Sequence, residues 1–299
     1  MGQGYQKKNA FLMKLAATAS IAVAGLGIIL KLGIFFLTGS IAILSTLFDS
    51  LQDLLTSGIN FFAIHHALQP ADKDHRFGHG KAQAIGAMGQ GFIISLSCLF
   101  LFYQACLRLL HTQDVDHLDY GVVGLGIVII LTGALIIFQR YVIKKTNSLS
   151  IKADKAHYDG DILMNIGVLV SMAVTHYVKW YWVDAVFGIG VSLYLAWVVY
   201  HVFKEAITML MDTEMPADFR QKMEELVLSY SFIKSIYALK TRTSGDRVFV
   251  QFVVAMDGNL TLKQAHDKID VLEKKIHKLY PNVRAMIHPE PFKEKAKNG

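Results

Sequence analysis

At 299 residues, with 53% hydrophobic side chains and a mean hydropathy of +0.37, the chain is too apolar for a soluble globular protein and reads as a polytopic membrane protein with a smaller soluble part behind it. Its net charge of +6 sits on lysines and arginines of the loops and tail, where the orientation of membrane helices accounts for it, which sets nucleic-acid binding aside. The two cysteines, Cys98 and Cys106, share one apolar stretch; they exclude a disulfide framework and a thiolate metal centre and are expected to be packing residues.

The amino end, Met1 to Asn9, is polar and carries Lys7 and Lys8, and the apolar run behind it far exceeds a secretory h-region, so no signal peptide is expected. Six apolar spans follow, near residues 11–37, 41–66, 83–110, 120–143, 154–178 and 183–210, each beyond the roughly 20 residues that cross hydrocarbon. Thr38-Gly39-Ser40 separates the first two without a basic residue, the connection Gln69–Lys81 carries Lys73, Arg76 and Lys81, and His111–Asp119 carries none. Arg140, Lys144, Lys145, Lys152 and Lys155 surround the fourth connection, whereas the fifth has only Lys179 beside Trp180, Tyr181 and Trp182, an aromatic belt at the outer interface. Positive charge alternates by side, and with Lys7 and Lys8 on the side of the even-numbered connections both termini are expected in the cytoplasm. Gly86, Gly89 and Gly91, Gly121, Gly124 and Gly126, and Gly188 with Gly190 are expected to let helices approach closely; no strand precedes them to make a nucleotide loop.

Beyond Pro216 the pattern changes. Phe219, Met223, Leu226 and Val227 have helical spacing over Ala217–Ser229, and two strands, 233–243 and 247–257, make a hairpin around Ser244-Gly245-Asp246. Thr261 with Gln264 forms a capping box that opens a helix to about Tyr280, and a short strand, Val283–His288, completes an α-β-β-α-β order. The expected organisation is a six-helix transmembrane domain over residues 1–212, a small α+β domain over 213–290 and a charged, disordered tail over 291–299.

Two polar stretches stand inside spans: Asp49-Ser50-Leu51-Gln52-Asp53 and His157-Tyr158-Asp159-Gly160-Asp161. A spacing of four puts Asp49 with Asp53, and His157 with Asp161, on one helix face each, while Asp159 faces elsewhere and is not expected to be a ligand. A carboxylate deep in a bilayer costs ~2.5–3.5 kcal/mol on insertion scales, so three of them with a histidine call for a shared counter-charge. A divalent cation fits, since three carboxylates and one imidazole suit zinc or another first-row ion; polar helix packing is the alternative.

The loop Pro70-Ala71-Asp72-Lys73-Asp74-His75-Arg76-Phe77-Gly78-His79-Gly80-Lys81, taken with the Asp-x-x-x-Asp and His-x-x-x-Asp pairs, resembles the cation diffusion facilitator family, and most of all its compact bacterial zinc and iron(II) exporters. The resemblance covers almost the whole chain. It implies a transport site of Asp49, Asp53, His157 and Asp161, a second metal site in the cytoplasmic loop at Asp72, His75 and His79, and a ferredoxin-like cytoplasmic domain that dimerises. Asp-x-x-His-x-x-x-His is also plausible metal spacing by itself, with a solvated loop as the alternative. The resemblance further implies a metal site in the soluble domain, for which His266, His288 and Glu290 stand at ligand-like positions while Tyr237 and Val253 replace histidines, so at most one weakly held ion is expected. Lys81 and Asp212 match a charged pair that holds subunits of the homodimer together, and location in the inner (cytoplasmic) membrane follows. His65, His66, His111, His117, His176, His201 and His277 have no ligand partner at suitable spacing and are expected to be interfacial or exposed.

The expected activity is export of cytoplasmic Zn²⁺ in exchange for H⁺ by alternating access. With an ordinary pKa of about 6.5, His157 can be neutral when it ligates and protonated when the metal has left. No Gly-x-x-x-x-Gly-Lys-Ser/Thr motif offers ATP as an energy source. The nitrogen ligand favours zinc, cadmium, cobalt or iron(II) over manganese and magnesium; between zinc and iron(II) the sequence does not decide, since both accept this set, so an iron(II) exporter is the alternative and affinity order makes zinc the first expectation. The rivals are an intramembrane metalloenzyme, for which the His-Glu-x-x-His helix is missing, a metal sensor, and a passive channel without proton dependence.

Overall fold

The protein is seen in a computed structural model that describes residues 2–38, 41–110, 121–180 and 182–292. Gly39 and Ser40 of the first break, the connection 111–120, Tyr181 of the aromatic belt and residues 293–299 of the tail lie outside the described residues. The chain divides into two compact units, Asn9–Ile207 and Thr208–Gly299, the second also counting Met1–Lys8.

Six long helices are found among the described residues: α1 (Gly2–Thr38), α2 (Ile41–Ala67), α3 (Ala82–Leu110), α4 (Gly121–Thr146), α5 (Leu149–Val178) and α6 (Val183–Leu210). Four stretches, Lys7–Gly33, Ala82–Leu110, Gly126–Thr146 and Val183–Leu210, are long and apolar enough to cross a membrane by composition. α2 and α5 are not among them, and the reason is visible in their sequences: these two helices carry the acidic pairs, and α5 adds Lys152, Asp154 and Lys155. The bundle is inside-out compared with a soluble one. Ile29, Phe62, Leu99, Ile130, Ile137 and Trp197 point outward, while Ser20, Asn60, Gln83, Gln90, Gln139, Ser150 and Asp154 are buried.

α5 begins at Leu149, a turn and a half earlier than the span expected from residue 154. Asn147 takes a left-handed φ of 52°, which asparagine tolerates, and its N–H closes α4 on the Ile143 carbonyl at 2.8 Å. Ser148 then caps α5 by accepting from the Ile151 N–H. The hydrophobic pattern could not show this start because the first turns of α5 face buried hydroxyls: Ser148 donates to Gln83 at 2.7 Å, Ser150 donates to Asn60 at 2.8 Å, and Gln90 donates to Ser150 Oγ at 3.3 Å. These bonds join α5 to α2 and α3.

The second unit follows the expected element order: α7 (Ala217–Leu228), β1 (Ser235–Ser244), β2 (Arg247–Met256), α8 (Leu262–Leu279) and β3 (Val283–Pro291). Thr261 and Gln264 form the reciprocal capping box at the start of α8. The sheet order is β1-β2-β3, with β1 antiparallel and β3 parallel to β2. Met223, Val227, Val250, Phe252, Val254, Leu272 and Ile276 form its core between helices and sheet. A bulge between Tyr237 and Lys240, with Ala238 at φ 52°, bends the middle of β1.

Close helix approach is tightest at Gly86, where a Cβ would stand 2.2 Å from the Cβ of Ala63 on α2; at Gly160 the nearest atoms, at 2.9 Å, are the methyl ends of Leu195, which can rotate away. Gly86→Ala is therefore expected to destabilise the purified protein in detergent by about 1–3 kcal/mol and Gly160→Ala by clearly less. Thermal unfolding of the two variants checks the order, and equal melting temperatures would contradict this packing.

Candidate metal centres

The cluster that dominates the membrane unit joins one turn of α2 to one turn of α5. His157 Nε2 lies 3.0 Å from Asp53 Oδ1 and 3.6 Å from Asp161 Oδ2, and one ligand atom from each of the three residues falls within 4.8 Å of the others. Around a tetrahedral zinc with bonds of ~2.0 Å, ligand atoms stand roughly 3.3 Å apart, so two of these separations already bracket that geometry. His157 is buried, and Asp53 and Asp161 are half-buried. Asp49, the fourth residue expected here, is one turn away on α2, exposed, and outside the three-residue group. Lys31 of α1 lies within electrostatic reach of both Asp49 and Asp161. Asp159 forms an ion pair with Lys155 one turn back on α5, away from the group.

Sequence reasoning missed the support beneath this cluster. Asp154, three residues before His157, is fully buried; its Oδ2 accepts from Ser20 Oγ of α1 at 2.6 Å and from Gln139 Nε2 of α4 at 2.7 Å. Tyr158 is anchored on the same side, since its hydroxyl donates to the Ser20 carbonyl at 3.1 Å and meets Ser57 Oγ of α2 at 2.9 Å. These bonds fix how α5 is rotated against α1, α2 and α4, and so where His157 points. The available signal was spacing: Asp154, His157, Tyr158 and Asp161 follow the helical period i, i+3, i+4, i+7.

The loop between α2 and α3 brings its three expected residues together as well. Asp72 Oδ1 accepts from the N–H groups of His75 at 2.6 Å and Asp74 at 3.0 Å, and its two oxygens lie 3.3 Å from His75 Nδ1 and 3.2 Å from His79 Nε2. The backbone N–H of His75, above all, holds the Asp72 carboxyl below the usual range, so it is ionised at neutral pH. His79 is buried, and its Nδ1 has no hydrogen-bond partner. The other ring nitrogen, Nε2, is the one beside the ionised Asp72, and with the second imidazole of His75 it makes a donor set that fits a divalent cation.

The soluble unit differs. His266 of α8 has Asp270 as its acidic neighbour at 3.8 Å, and His288 has Glu290 at 3.6 Å; the three expected residues are not among the clusters of potential ligands found in the described residues. Pairing across the sheet sets Tyr237 opposite Val253, and Val253 beside His288, so the two replaced positions sit next to the surviving histidine. The Tyr237 hydroxyl donates to the Glu290 carboxylate, which raises the phenol's pKa. An internal hydrogen bond thus engages the acid that a metal would need. Of the charged pair, Asp212 accepts from Arg242 Nη1 at 3.2 Å within this unit, and Lys81 ends the loop of the other.

Residues 17–211 match the cation efflux transmembrane domain, and residues 215–292 match the cytoplasmic domain of cation efflux proteins. The chain belongs to the cation diffusion facilitator family. It is 36% identical over 291 residues to the cation-efflux pump FieF of Klebsiella pneumoniae, a match covering 97% of this chain and 95% of that protein. The FieF pump of Escherichia fergusonii is 34% identical over the same shares. Among solved structures, the metal-bound carboxy-terminal domain of the CzcD transporter of Thermotoga maritima is similar at 20% identity, with a TM-score of 0.25, over 26% of this chain and 94% of that one. Members of the family are multi-pass cation efflux transporters, and the enzyme alternative is set aside.

The Asp154 network carries an energetic signature. Asp154→Ala removes the acceptor that Ser20 and Gln139 share, leaving Ser20 Oγ the Ala16 carbonyl and Gln139 Nε2 the Ser20 hydroxyl, and is expected to destabilise by about 1–3 kcal/mol, whereas Asp154→Leu combined with Ser20→Ala and Gln139→Leu removes these two donors with the acid and should restore much of the loss. Thermal unfolding in detergent tests this; a triple variant less stable than the single one would contradict it.

Proposed function

We propose that this cation efflux transporter exports cytoplasmic Zn²⁺ in exchange for protons, through a site formed by Asp53, His157 and Asp161 and completed by Asp49. The observation that carries the proposal is the convergence of ligand atoms from α2 and α5 within 4.8 Å in a chain otherwise built of apolar helices. α2 and α5 are the two long helices whose composition alone does not qualify them as spans, and in this proposal they cross the membrane with α1, α3, α4 and α6 because their polar faces are turned onto each other and onto the cargo.

The exchange follows from ligand chemistry. His157 must be unprotonated to bind a metal and, once the metal leaves, is free to take a proton that Asp53 at 3.0 Å would hold as a partner. Metal and protons therefore compete for one set of atoms. Zinc is the favoured cargo because one imidazole with carboxylates suits it; iron(II) accepts the same set, and cadmium and cobalt(II) are further candidates. The even-numbered connections and both termini are placed in the cytoplasm by the distribution of basic residues, in the inner membrane. The soluble domain is proposed to pair two copies of the chain, with Lys81 and Asp212 as a charged contact between subunits. In place of a full metal site, with Tyr237 bonded to Glu290, pairing would depend on side-chain packing.

Flux into proteoliposomes of the purified protein tests the proposal. Zn²⁺ flux should rise with an opposing proton gradient and fall by about tenfold or more in Asp53→Ala. Flux indifferent to the gradient would mean a channel, and flux of Fe²⁺ but not Zn²⁺ would reassign the cargo. His157→Asp, which makes the ligand set all-oxygen, is expected to raise Mn²⁺ transport relative to Zn²⁺; equal Zn²⁺ and Mn²⁺ rates in the wild type would contradict the role given to His157.

A further inference from the structure

The loop cluster of Asp72, His75 and His79 offers three ligands, one short of the four that zinc takes in a closed site. The end of α2 supplies a fourth group beside it. α2 closes with His65-His66-Ala67, after which Gln69 N–H bonds to the His66 carbonyl at 3.0 Å and the chain turns back, bringing the loop against the helix end. The His66 ring then lies edge-on to His79, with centroids 4.7 Å apart and planes at 66°. His79 also meets His75, at 4.5 Å between centroids. Two imidazoles on one tetrahedral zinc hold their centroids about 5 Å apart, given nitrogen–zinc bonds of ~2.0 Å. His79 thus has two imidazole neighbours, each near the separation that shared ligation requires.

The two histidines at the end of α2 are not equivalent. His65 Nδ1 is bonded to the Phe61 carbonyl at 3.0 Å, and its ring lies on that of Phe61 at 3.9 Å between centroids. His66 is solvent-exposed, and its described contact is with His79. The site it adjoins contains Nε2 of the buried His79, 3.2 Å from Asp72, and a carboxylate whose orientation is already fixed by two backbone N–H groups.

We propose that His66 is the fourth ligand of a divalent-metal site formed with Asp72, His75 and His79. It rests on the loop cluster being a metal site at all. Rotation of the exposed His66 side chain about its own χ angles brings a ring nitrogen towards the other three ligands while the backbone stays in place. The result is a three-histidine, one-carboxylate site that ties the last turn of α2 to the loop. Because α2 also carries Asp53, metal in the loop would stiffen the helix on which a transport ligand stands.

The test uses the full-length purified protein with Asp53→Ala and His288→Ala, which silence the transport cluster and the surviving histidine of the soluble domain. Zn²⁺ is titrated calorimetrically, and Co²⁺ is followed by its visible absorption, which is intense for tetrahedral and weak for six-coordinate cobalt. Adding His66→Ala should lower zinc affinity by about tenfold or more and weaken the cobalt bands, and His66→Gln should not restore them. Adding His75→Ala instead tests the loop site itself. If His75→Ala abolishes binding while His66→Ala leaves affinity and spectrum unchanged, the loop is a three-residue site and the His66 assignment is wrong. If neither substitution alters binding, or the background protein binds no zinc, the loop assignment fails and the role of His66 with it. Metal-free thermal unfolding of His66→Ala, expected to match its background, separates ligand loss from misfolding.

Discussion

An ionisable side chain inside a membrane bundle must find a donor, an opposite charge or a cation, because lipid offers none of them. Most of the membrane unit can be understood from that requirement. Asp154 finds donors in Ser20 and Gln139, and in doing so it joins α5 to α1 and α4. Asp53 and Asp161 find His157. Asp49 and Asp161 lie within the electrostatic reach of Lys31 on α1. Three kinds of solution therefore lie along neighbouring turns of the same helices: a neutral donor shell, an imidazole and a remote ammonium. The donor shell is permanent and structural. The imidazole and the two carboxylates beside it are the ligand types that, in the proposal above, exchange a cation.

The elements most legible in the sequence were those set by local chemistry. The Thr261–Gln264 capping box, the hairpin turn at Ser244-Gly245-Asp246 and the pairs Asp49/Asp53 and His157/Asp161 depend only on spacing within one segment. The start of α5 was misplaced because Ser148 and Ser150 read as polar linker until Gln83, Gln90 and Asn60 are known to cover them. Asp154 was passed over for the same reason, since its partners come from positions 20 and 139. His66 was set aside because thirteen positions separate it from His79, and only the turn after α2 brings the rings together. Contacts between distant segments leave little trace in a single chain beyond an unexplained polar residue on an otherwise apolar face.

The two units treat metal-binding side chains in opposite ways. In the membrane unit, and in the loop between α2 and α3, carboxylates and imidazoles converge, with ligand atoms from three residues within 4.8 Å of one another in each group. In the soluble unit Val253 separates Tyr237 from His288 across the sheet, and Tyr237 bonds to Glu290. The core of that domain is an apolar cluster of α7, α8 and the three strands, whose burial stabilises it. The candidate metal ligands of the membrane unit are thus gathered around α2, which carries Asp53 in its middle and leads into the loop of Asp72, His75 and His79.

The central claim is that cargo and protons compete for the atoms of Asp53, His157 and Asp161. Its most direct test is calorimetric zinc binding to the full-length protein carrying His75→Ala and His288→Ala, repeated in buffers of different ionisation enthalpy at about pH 6 and pH 8. The slope of apparent enthalpy against buffer enthalpy counts the protons released. Release of about one proton or more per zinc at the lower pH, declining at the higher, is the predicted result. Tight zinc binding with no net proton release at either pH would show that metal and protons do not share these ligands, and proton-coupled exchange at this site would have to be abandoned.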